Sequence, residues 1–277
     1  MIEARNISVT IGAKKLLDRV SLTVAPGAVI AVVGANGAGK STLLKALSGD
    51  LKLAAGEILV DQRPLSQWNH YELARRRAVL PQQSNVNNGF TAFEVVLLGR
   101  NPHLSVRESR RDREIANEAL RAVAAERLAH RIFATLSGGE QQRVSLARIL
   151  AQIWDEPAQN SHSRYLLLDE PVASLDLAHQ HLTMQIAREF AGKNTGVLVV
   201  LHDLNLAAQY ADQICLLKNS GVLASGAPAE VLTAPNIRRA LDFAATILEH
   251  DNKFLIVPNM KNNILETEEN FNESDYN

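Results

Sequence analysis

The chain has 277 residues, of which 46% are hydrophobic, so it can bury a substantial core as one large or two small domains. Its 29 lysines and arginines nearly balance its 30 aspartates and glutamates, which gives no overall electrostatic reason to expect nucleic acid as a partner. The single cysteine, Cys215, lies in an apolar run and excludes an intramolecular disulfide, which fits a reducing cytosolic location. The sequence shows neither a signal peptide nor an apolar stretch of about 18 residues, so we expect membrane contact only through a partner.

Two kinds of strand are predicted from the hydrophobic pattern. Residues 7–11 and 20–24 alternate between polar and apolar side chains, as in antiparallel strands with one exposed face, and residues 56–60 are expected to join them. Almost continuous apolar runs indicate parallel strands covered on both faces, namely residues 29–34, 165–169 and 197–201. The chain is therefore predicted to have an α/β fold, in which a parallel-sheet core carries a small antiparallel β subdomain.

A glycine-rich segment that fits the pattern G-x-x-x-x-G-K-[ST] follows the first of these runs and opens a helix at residues 42–47. Glycines let such a loop fold tightly around phosphate oxygens, while backbone amides and the helix N-terminus supply positive potential. Lys40 would reach the β- and γ-phosphates of a nucleoside triphosphate, and Ser41 would bind Mg²⁺. The predicted nucleotide-binding residues of this segment are Gly34, Ala35, Asn36, Gly37, Ala38, Gly39, Lys40, Ser41 and Thr42. The loop by itself does not separate a kinase, a GTPase, a helicase and a transport ATPase.

The region from about residue 84 to residue 135 is dominated by loop and helix signals. Five apolar residues fall at helical spacing among many charges: Ile115, Ala119, Leu120, Val123 and Leu128. This pattern predicts an amphipathic helix on the surface of the protein.

A capping pattern marks the start of a second helix, because Ser137 and Glu140 have the Ser-x-x-Glu spacing of a capping box. Gly138 and Gly139 leave the first turn of this helix without side chains, so another molecule can approach its amides. The apolar face of the predicted helix runs through Val144, Ala147, Leu150 and Ile153 to Trp154.

The tripeptide Asp-Glu-Pro occurs twice, at residues 155–157 and 169–171. The second pair of acids follows one tyrosine and three leucines, so it emerges at the carboxyl end of a buried strand, where open α/β sheets bind their ligands. The first pair is expected in a surface loop with no chemical role. Because adjacent side chains at a strand end diverge, Asp169 would hold Mg²⁺ through its water shell and Glu170 would polarise the attacking water.

Together with the phosphate loop, the sequence LSGGEQQR at residues 136–143 resembles the ATP-binding cassette (ABC) family, for which it is the diagnostic signature. The resemblance covers about residues 2–255, and the motifs occur in the family's order. It implies a P-loop NTPase (RecA-like) core with an antiparallel β subdomain and an inserted α-helical subdomain at about residues 84–150. It also implies ATP and Mg²⁺ as cofactors and a head-to-tail homodimer that encloses two ATP molecules.

The resemblance implies roles for residues outside the phosphate loop as well. Ser137, Gly138 and Gly139 would bind ATP held by the other protomer, and Asp176 would belong to the D-loop, residues 174–176, which crosses the dimer interface. The implied catalytic residues are Glu170, His202 and Gln82, with Gln83 as an alternative in the glutamine loop. The implied metal ligands are Ser41, Gln82 and Asp169. Ile11 stands where the family usually has an aromatic residue that stacks on adenine, so base stacking is expected to be weaker or supplied elsewhere.

A single cassette of this length indicates transport. About 50 residues between the glutamine loop and the signature leave no room for the long coiled coil of chromosome-maintenance or recombination ATPases. The helical region at residues 84–135 would then receive a short cytoplasmic helix of a membrane subunit, which would place the chain at the cytoplasmic face of a bacterial inner membrane. The alternatives are a non-transport ABC ATPase that acts on nucleic acid or ribosomes, and an exporter subunit.

Two further segments are similar to particular importers. Residues 93–103 look like those of importers for iron–siderophore complexes, vitamin B12 and haem, and residues 154–164 and 175–181 look most like the haem (hemin) importers. This similarity implies a translocase ATPase with two transmembrane permease subunits and a periplasmic haem-binding protein as partners, and no nucleic acid. Import of a siderophore or of vitamin B12 is the alternative. Haem ligation by His162, His179 or His181 is not expected, since the last two would point to different sides of a helix.

The domain boundary is expected near the C-terminus. Residues 1–258 would form the nucleotide-binding domain, and residues 259–277, which are rich in asparagine and glutamate, would form a polar disordered tail. Residues 218–221, between two apolar runs, are predicted to form a turn.

Overall fold

The computed structural model describes residues 1–82, 89–104, 107–154, 163–250 and 253–259. Within these ranges the strands are β1 (Ile2–Ile11), β2 (Lys14–Val24), β3 (Val29–Gly34), β4 (Ala55–Val60), β5 (Arg63–Pro64), β6 (Arg77–Leu80), β7 (Arg164–Asp169), β8 (Thr195–Val200), β9 (Gln213–Lys218), β10 (Gly221–Gly226), β11 (Ala245–His250) and β12 (Lys253–Pro258). The α-helices are α1 (Lys40–Leu47), α2 (His70–Ala74), α3 (Ala92–Leu98), α4 (Arg110–Ala122), α5 (Gly138–Gln152), α6 (Leu177–Gly192), α7 (Leu204–Tyr210), α8 (Pro228–Val231) and α9 (Ala234–Leu241). Gln83, Asp155, Glu156, His162 and the tail beyond residue 259 lie outside the described residues.

A six-stranded sheet in the order β10-β9-β3-β8-β7-β6 forms the centre of the molecule. Its strands are parallel except for β10, which pairs antiparallel with β9. Strands β3, β7 and β8 are the three apolar runs of the sequence, and every residue in them is buried. The predicted parallel core is therefore confirmed.

The side chains of this sheet divide the core into two hydrophobic clusters, one on each face. In β3, Val29, Ala31 and Val33 belong to one cluster, whereas Ile30 and Val32 belong to the other. This division follows from the strand geometry, in which successive side chains point to opposite faces. A continuous apolar run is thus required here, since neither face of the strand meets water.

The N-terminal part of the chain forms a four-stranded antiparallel sheet in the order β2-β1-β4-β5. Three of its strands contain the alternating segments at residues 7–11, 20–24 and 56–60, so the predicted β subdomain is confirmed. Helix α1 joins this sheet to the central one, because it follows β3 and its Leu43, Leu44 and Leu47 are buried in the cluster that β1 and β2 also line.

Helices α3, α4 and α5 pack against one another in the middle of the chain. Ile115, Ala119 and Leu120 are buried on α4, which confirms the predicted amphipathic helix. The extension of that helix to Leu128 was wrong. Helix α4 ends at Ala122, because Ala124 adopts a left-handed φ of 51°, and Leu128 lies in a separate 3-10 turn at residues 126–128.

Helix α5 follows the predicted start at Ser137 and buries Val144, Ala147 and Leu150. It ends at Gln152, so Trp154 lies beyond the helix and not on its apolar face. The Trp154 ring instead meets the edge of Phe190, with 5.8 Å between the ring centroids. The predicted face is correct up to Ile153, which is the C-cap residue and is buried.

The C-terminal part contains two hairpins. The predicted turn at residues 218–221 joins β9 to β10, with Gly221 paired to Lys218. A second hairpin, formed by β11 and β12, pairs Ala245 with Pro258 and Ile247 with Ile256, and the sequence did not predict it. Its residues Ala245 and Ile256 are buried against the main core.

Candidate functional site

The phosphate loop connects β3 to α1 and is compressed between neighbouring elements. Gly39 has a φ of 107°, and a Cβ atom on it would lie 2.8 Å from the carbonyl oxygen of Leu16 and 2.9 Å from Cδ2 of Leu17. At Gly34 a Cβ atom would lie 2.4 Å from the carbonyl oxygen of Leu217. Glycine is thus required at these two positions because β2 and β9 approach the loop closely.

The Lys40 side chain folds back along the inner side of this loop. Its Nζ atom donates hydrogen bonds to the carbonyl oxygens of Gly34 at 2.8 Å and Ala35 at 3.0 Å. Burial lowers the pKa of the Lys40 ammonium, and the nearby Glu170 and Asp169 carboxylates oppose this effect. The charge of Lys40 is therefore held at the floor of the loop, next to two acids.

Asp169 and Ser41 form the next part of the site. The hydroxyl of Ser41 donates a hydrogen bond to Oδ1 of Asp169 at 3.1 Å, and Asp169 is 2% exposed. Burial raises the pKa of the Asp169 carboxyl, the hydrogen bond from Ser41 opposes this, and the Glu170 carboxylate raises the pKa further. A cation bound here would favour the ionised form of Asp169.

The donor set suits a small hard cation. The Ser41 hydroxyl and the Asp169 carboxylate are both oxygen donors, which Mg²⁺ prefers, and Mg²⁺ often takes only one or two protein ligands. In the part of the chain that the structure describes, no group of three or more His, Cys, Asp or Glu side chains could hold a metal ion by itself. A Mg²⁺ ion held by the Ser41 and Asp169 oxygens would keep room for ligands from a bound phosphate and from water.

Glu170 receives a contact on each of its carboxylate oxygens. Nε2 of Gln82 donates to Oε2 at 3.0 Å, and Nε2 of His202 lies 2.6 Å from Oε1. These are the three residues for which the sequence predicts a catalytic role, and the fold brings them together from the ends of β6, β7 and β8. Glu170 has a φ of 50°, in the left-handed region that residues other than glycine rarely adopt. Such backbone strain clusters at functional sites.

The glutamine loop begins at the end of β6, where Gln82 contacts Glu170. Gln83, the alternative in that loop, lies outside the described residues. The contact of Gln82 with Glu170 fits the role predicted for Gln82, and Gln83 stays the alternative.

The start of α5 has the capping box that the sequence predicts. The Ser137 hydroxyl accepts a hydrogen bond from the Glu140 amide at 3.3 Å, and the Ser137 amide donates to Oε2 of Glu140 at 2.8 Å. The hydrogen bonds from Ser137 lower the pKa of the Glu140 carboxyl. A Cβ atom on Gly139 would lie 2.9 Å from the carbonyl oxygen of Ser174, so the signature and the D-loop are in contact within one chain.

Asp176 caps α6. Its Oδ1 atom accepts a hydrogen bond from the backbone amide of His179 at 2.9 Å. The same atom lies 2.8 Å from Nδ1 of the His179 ring. The hydrogen bonds from His179 lower the pKa of the Asp176 carboxyl. His181 contacts the Tyr210 hydroxyl instead, through Nδ1 at 2.8 Å, so the two histidines have separate partners.

A pocket of about 230 Å³ lies over the phosphate loop. Its lining residues are Lys14, Lys15, Leu16, Asn36, Gly37, Gly39, Lys40, Ser41, Thr42, Glu170 and Ser220. The described residues that line this pocket do not include Ser137, Gly138, Gly139 or Asp176. One chain thus brings the phosphate loop and Glu170 together at this pocket, and the signature does not line it.

The sequence did not predict the wall of this pocket that faces the loop. Lys14, Lys15 and Leu16 form that wall, whereas Ile11 is 61% exposed. The wall is fixed by a distant turn, since the Ser220 hydroxyl donates to the carbonyl oxygen of Lys15 at 3.1 Å. The pair Lys14 and Lys15, shortly after Gly12, was the available signal, but the place of these lysines beside the loop depends on contacts far along the chain.

No helix within the described ranges is long and apolar enough to cross a membrane.

A protein-family model and individual relatives both match this chain. A family model described as ABC transporter matches residues 17–173. The hemin import ATP-binding proteins HmuV of Gloeobacter violaceus and Myxococcus xanthus are 50% and 51% identical to this chain; the alignments cover 90% of this chain and 90% and 92% of the relatives.

Solved structures also resemble this fold. An ABC transporter in an inward-facing conformation, assigned provisionally to the metal-chelate type, superposes with a TM-score of 0.76 at 25% identity, covering 94% of this chain and 98% of that one. A dimeric ATP-binding cassette in a post-hydrolysis state with ADP and Pi gives a TM-score of 0.71 at 27% identity, covering 82% of this chain and 99% of that one. Since the family model spans the phosphate loop, the signature and both acids, and the relatives align over nearly the whole chain, this protein belongs to the ABC transporter family and carries its ATP-binding cassette.

Proposed function

We propose that this chain is the ATP-hydrolysing subunit of an ABC importer whose cargo is haem. The ATPase proposal is carried by one observation: Gln82 and His202 contact the two carboxylate oxygens of Glu170, next to the Ser41–Asp169 pair. Haem as the cargo is supported by the names of the relatives and by the likeness of residues 154–164 and 175–181 to haem importers. Import of a siderophore or of vitamin B12 is the alternative cargo.

The triphosphate would be bound by the loop from Gly34 to Thr42. Backbone amides of this loop and the N-terminus of α1 attract the phosphate oxygens, and Lys40 supplies a full positive charge beside them. Because the ammonium already lies at the floor of the loop, it needs little rearrangement to meet the β- and γ-phosphates.

Glu170 would act as the general base. As the water oxygen attacks the γ-phosphorus, a proton of that water passes to a carboxylate oxygen of Glu170, and the bond to the β–γ bridging oxygen breaks to release ADP. Gln82 and His202 hold the carboxylate from its two sides, which fixes the direction of its lone pairs.

The proposed metal ligands are Ser41, Asp169 and Gln82. When bound, Mg²⁺ would neutralise charge on the β- and γ-phosphate oxygens. Asp169 would hold the metal through a water molecule and Ser41 would bind it directly, in line with the adjacency of their oxygens.

The signature would act in the second copy of the chain. Ser137, Gly138, Gly139 and Asp176 do not line the pocket over their own phosphate loop. The start of α5 would instead face a nucleotide bound by a partner protomer, in a head-to-tail homodimer. Glu170 would then become effective only when the second copy closes over the γ-phosphate.

The remaining partners follow from import. The cassette, residues 1–258 with its helical part at about residues 84–150, would bind two transmembrane permease subunits at the cytoplasmic face of the bacterial inner membrane, and residues 259–277 would form a separate tail. A periplasmic haem-binding protein would deliver the cargo, and no nucleic acid is needed.

Replacing Glu170 by glutamine tests the ATPase mechanism. Glu170→Gln should lower steady-state hydrolysis by at least about 100-fold, because the base is lost, while ATP binding is retained and the ATP-bound dimer accumulates. Hydrolysis measured by phosphate release and dimerisation measured by gel filtration with ATP check this. Undiminished phosphate release would refute the role of Glu170.

The first acid pair provides the matched control. Asp155→Ala with Glu156→Ala removes the same two side chains from the other Asp-Glu-Pro sequence and should leave hydrolysis close to that of the wild type. A loss as large as that of Glu170→Gln would reverse the choice between the two pairs.

The cargo is tested in proteoliposomes that contain the chain and its permease partner. Haem-loaded binding protein should stimulate ATP hydrolysis and haem uptake, whereas a siderophore complex or vitamin B12 should not. Stimulation by DNA or ribosomes in the absence of the permease would favour a non-transport ATPase, and movement of haem in the opposite direction would identify an exporter.

A further inference from the structure

The C-terminal hairpin reaches the catalytic region through one side chain. Asn205, on the first turn of α7, accepts a hydrogen bond from the amide of Ile256 at 2.7 Å through Oδ1. Its Nδ2 atom donates to the carbonyl oxygen of the same residue at 3.3 Å. The amide group of Asn205 thus pairs with both backbone groups of one residue of β12, as a neighbouring strand would.

Asn205 is also linked to His202 through Asp203. The backbone amide of Asn205 donates to Oδ1 of Asp203 at 2.7 Å, and the amide of Leu206 donates to the same atom at 3.1 Å. Asp203 is the N-cap of α7 and directly follows His202, whose Nε2 lies 2.6 Å from Glu170. A short path of covalent and hydrogen bonds therefore links β12 to the carboxylate of Glu170.

Helix α7 needs such external support. It has 7 residues, and a helix of that length is marginal without tertiary contacts. The His202 side chain is 48% exposed, so its position depends on the backbone before α7 more than on packing around the ring. The hairpin supplies the support, since Ile256 and Ala245 are buried in the same cluster as Ala207 and Tyr210 of α7.

We propose that Asn205 is a positioning residue for ATP hydrolysis. Its hydrogen bonds to β12 keep the start of α7 in place and so hold His202 against Glu170. The inference rests on the proposed roles of Glu170 and His202. It makes the hairpin of β11 and β12 part of the frame of the active site, although its residues are more than 40 positions from His202 in the sequence.

The test compares three variants of the full-length chain. Asn205→Ala removes both hydrogen bonds to Ile256, and Asn205→Asp keeps the acceptor for the Ile256 amide but loses the donor. Asn236→Ala is the matched control, because Nδ2 of Asn236 also donates to a backbone carbonyl, that of Val231, at 3.0 Å and away from the site. Each variant is assayed for kcat, for the KM of ATP, for thermal stability and for ATP binding in a Glu170→Gln background.

We expect Asn205→Ala to lower kcat by about five- to tenfold, with the KM of ATP and the binding of ATP within about twofold of the wild type. Asn205→Asp should also lower kcat, because its second carboxylate oxygen would face the Ile256 carbonyl oxygen in place of the Nδ2 donor. Asn236→Ala should lower thermal stability without changing kcat. If Asn205 had a purely structural role, a given loss of thermal stability would go with the same loss of kcat in both alanine variants.

Two outcomes overturn the inference. The first is a wild-type kcat for a folded Asn205→Ala, and the second is a loss of kcat in Asn236→Ala as large as that in Asn205→Ala. If Asn205→Ala does not fold, Asn205→Asp decides in its place. Failure of the proposed function is distinguishable, because in that case Glu170→Gln itself would retain hydrolysis.

Discussion

At the scale of a single residue, two glycines of the phosphate loop differ in why their replacement should destabilise the protein. Gly39 and Gly37 both have positive φ, but only at Gly39 would an added methyl group meet backbone, 2.8 Å from the Leu16 oxygen. Gly37→Ala should therefore destabilise the protein by about 1 kcal/mol, from the left-handed backbone alone. Gly39→Ala should cost about 2 kcal/mol more, because strand β2 or the start of α1 must also shift.

Urea unfolding of the two variants without nucleotide measures this difference. Gly37→Ala is the matched control, since a Cβ atom there has no neighbour within 4 Å. Equal free energies of unfolding for the two variants would contradict the close approach of β2 to the loop.

At the scale of an element, the C-terminal end of α5 is held by side chains from elsewhere in the fold. Nη1 of Arg100 donates to the carbonyl oxygen of Ala151 at 2.8 Å, and Nη1 of Arg164 donates to that of Ile153 at 2.6 Å. Positive charge at a helix C-terminus stabilises the helix dipole. Since α5 begins directly after Ser137, these contacts hold the C-terminal end of the helix that carries the signature.

Arg100 also forms a buried ion pair with Asp112 of α4. Nε of Arg100 lies 2.9 Å from Oδ1 of Asp112, and the two side chains are 4% and 9% exposed. Burial alone would raise the pKa of Asp112, but the hydrogen bonds from Ser109 and Arg100 outweigh it and lower the pKa to about 2. Because the pKa in the folded state is depressed, this stability is present above the ordinary aspartate pKa and is lost as the pH falls towards 2.

Arg100→Met should therefore destabilise the protein by about 3–5 kcal/mol at pH 7, because it leaves the Asp112 carboxylate buried without its charge partner. The double variant Arg100→Met with Asp112→Asn should be more stable than Arg100→Met alone. Denaturant unfolding at pH 7 measures both. A double variant that is less stable than the single one would show that the buried charge is not the cause.

At the scale of the whole molecule, the phosphate loop and the signature of one chain are proposed to serve two different ATP sites. Mixing two inactive variants tests this: Lys40→Ala lacks a phosphate-loop charge but has an intact signature, and Ser137→Arg has the reverse. A mixed dimer would contain one complete site, formed by the loop of one chain and the signature of the other. An equal mixture should recover about a quarter of the wild-type rate of hydrolysis if the chains assort at random.

Each variant alone should be inactive, which provides the control for the mixture. No recovery from a mixture shown to contain mixed dimers would mean that the loop and the signature work in the same chain. Phosphate release, with the dimers verified by differently tagged chains, distinguishes the two results.

The parts of the fold that the sequence predicted are those specified by local pattern. The apolar runs predict β3 and β7 as strands buried on both faces, so they also place the phosphate loop and Glu170 just after the carboxyl ends of these strands. The end of α4 was missed because it depends on the left-handed backbone of Ala124. An alanine in the sequence gives no sign of that conformation.

What the sequence could not predict depends on distant residues. Lys15 reaches the pocket because Ser220 bonds to its carbonyl oxygen, and Asn205 reaches β12 across 51 positions of the sequence. Alternation of apolar residues carries no information on such pairs, because each partner looks like an ordinary polar surface residue.

The left-handed backbone of Glu170 has a consequence for engineering. A glutamate at a φ of 50° costs the folded chain about 1 kcal/mol, and asparagine or glycine would adopt that conformation more easily. A library at position 170 that is sorted only for heat resistance should therefore enrich asparagine and glycine and discard the natural residue. Sorting for ATP hydrolysis should return glutamate if it is the general base proposed above, so the two selections would favour different residues at position 170.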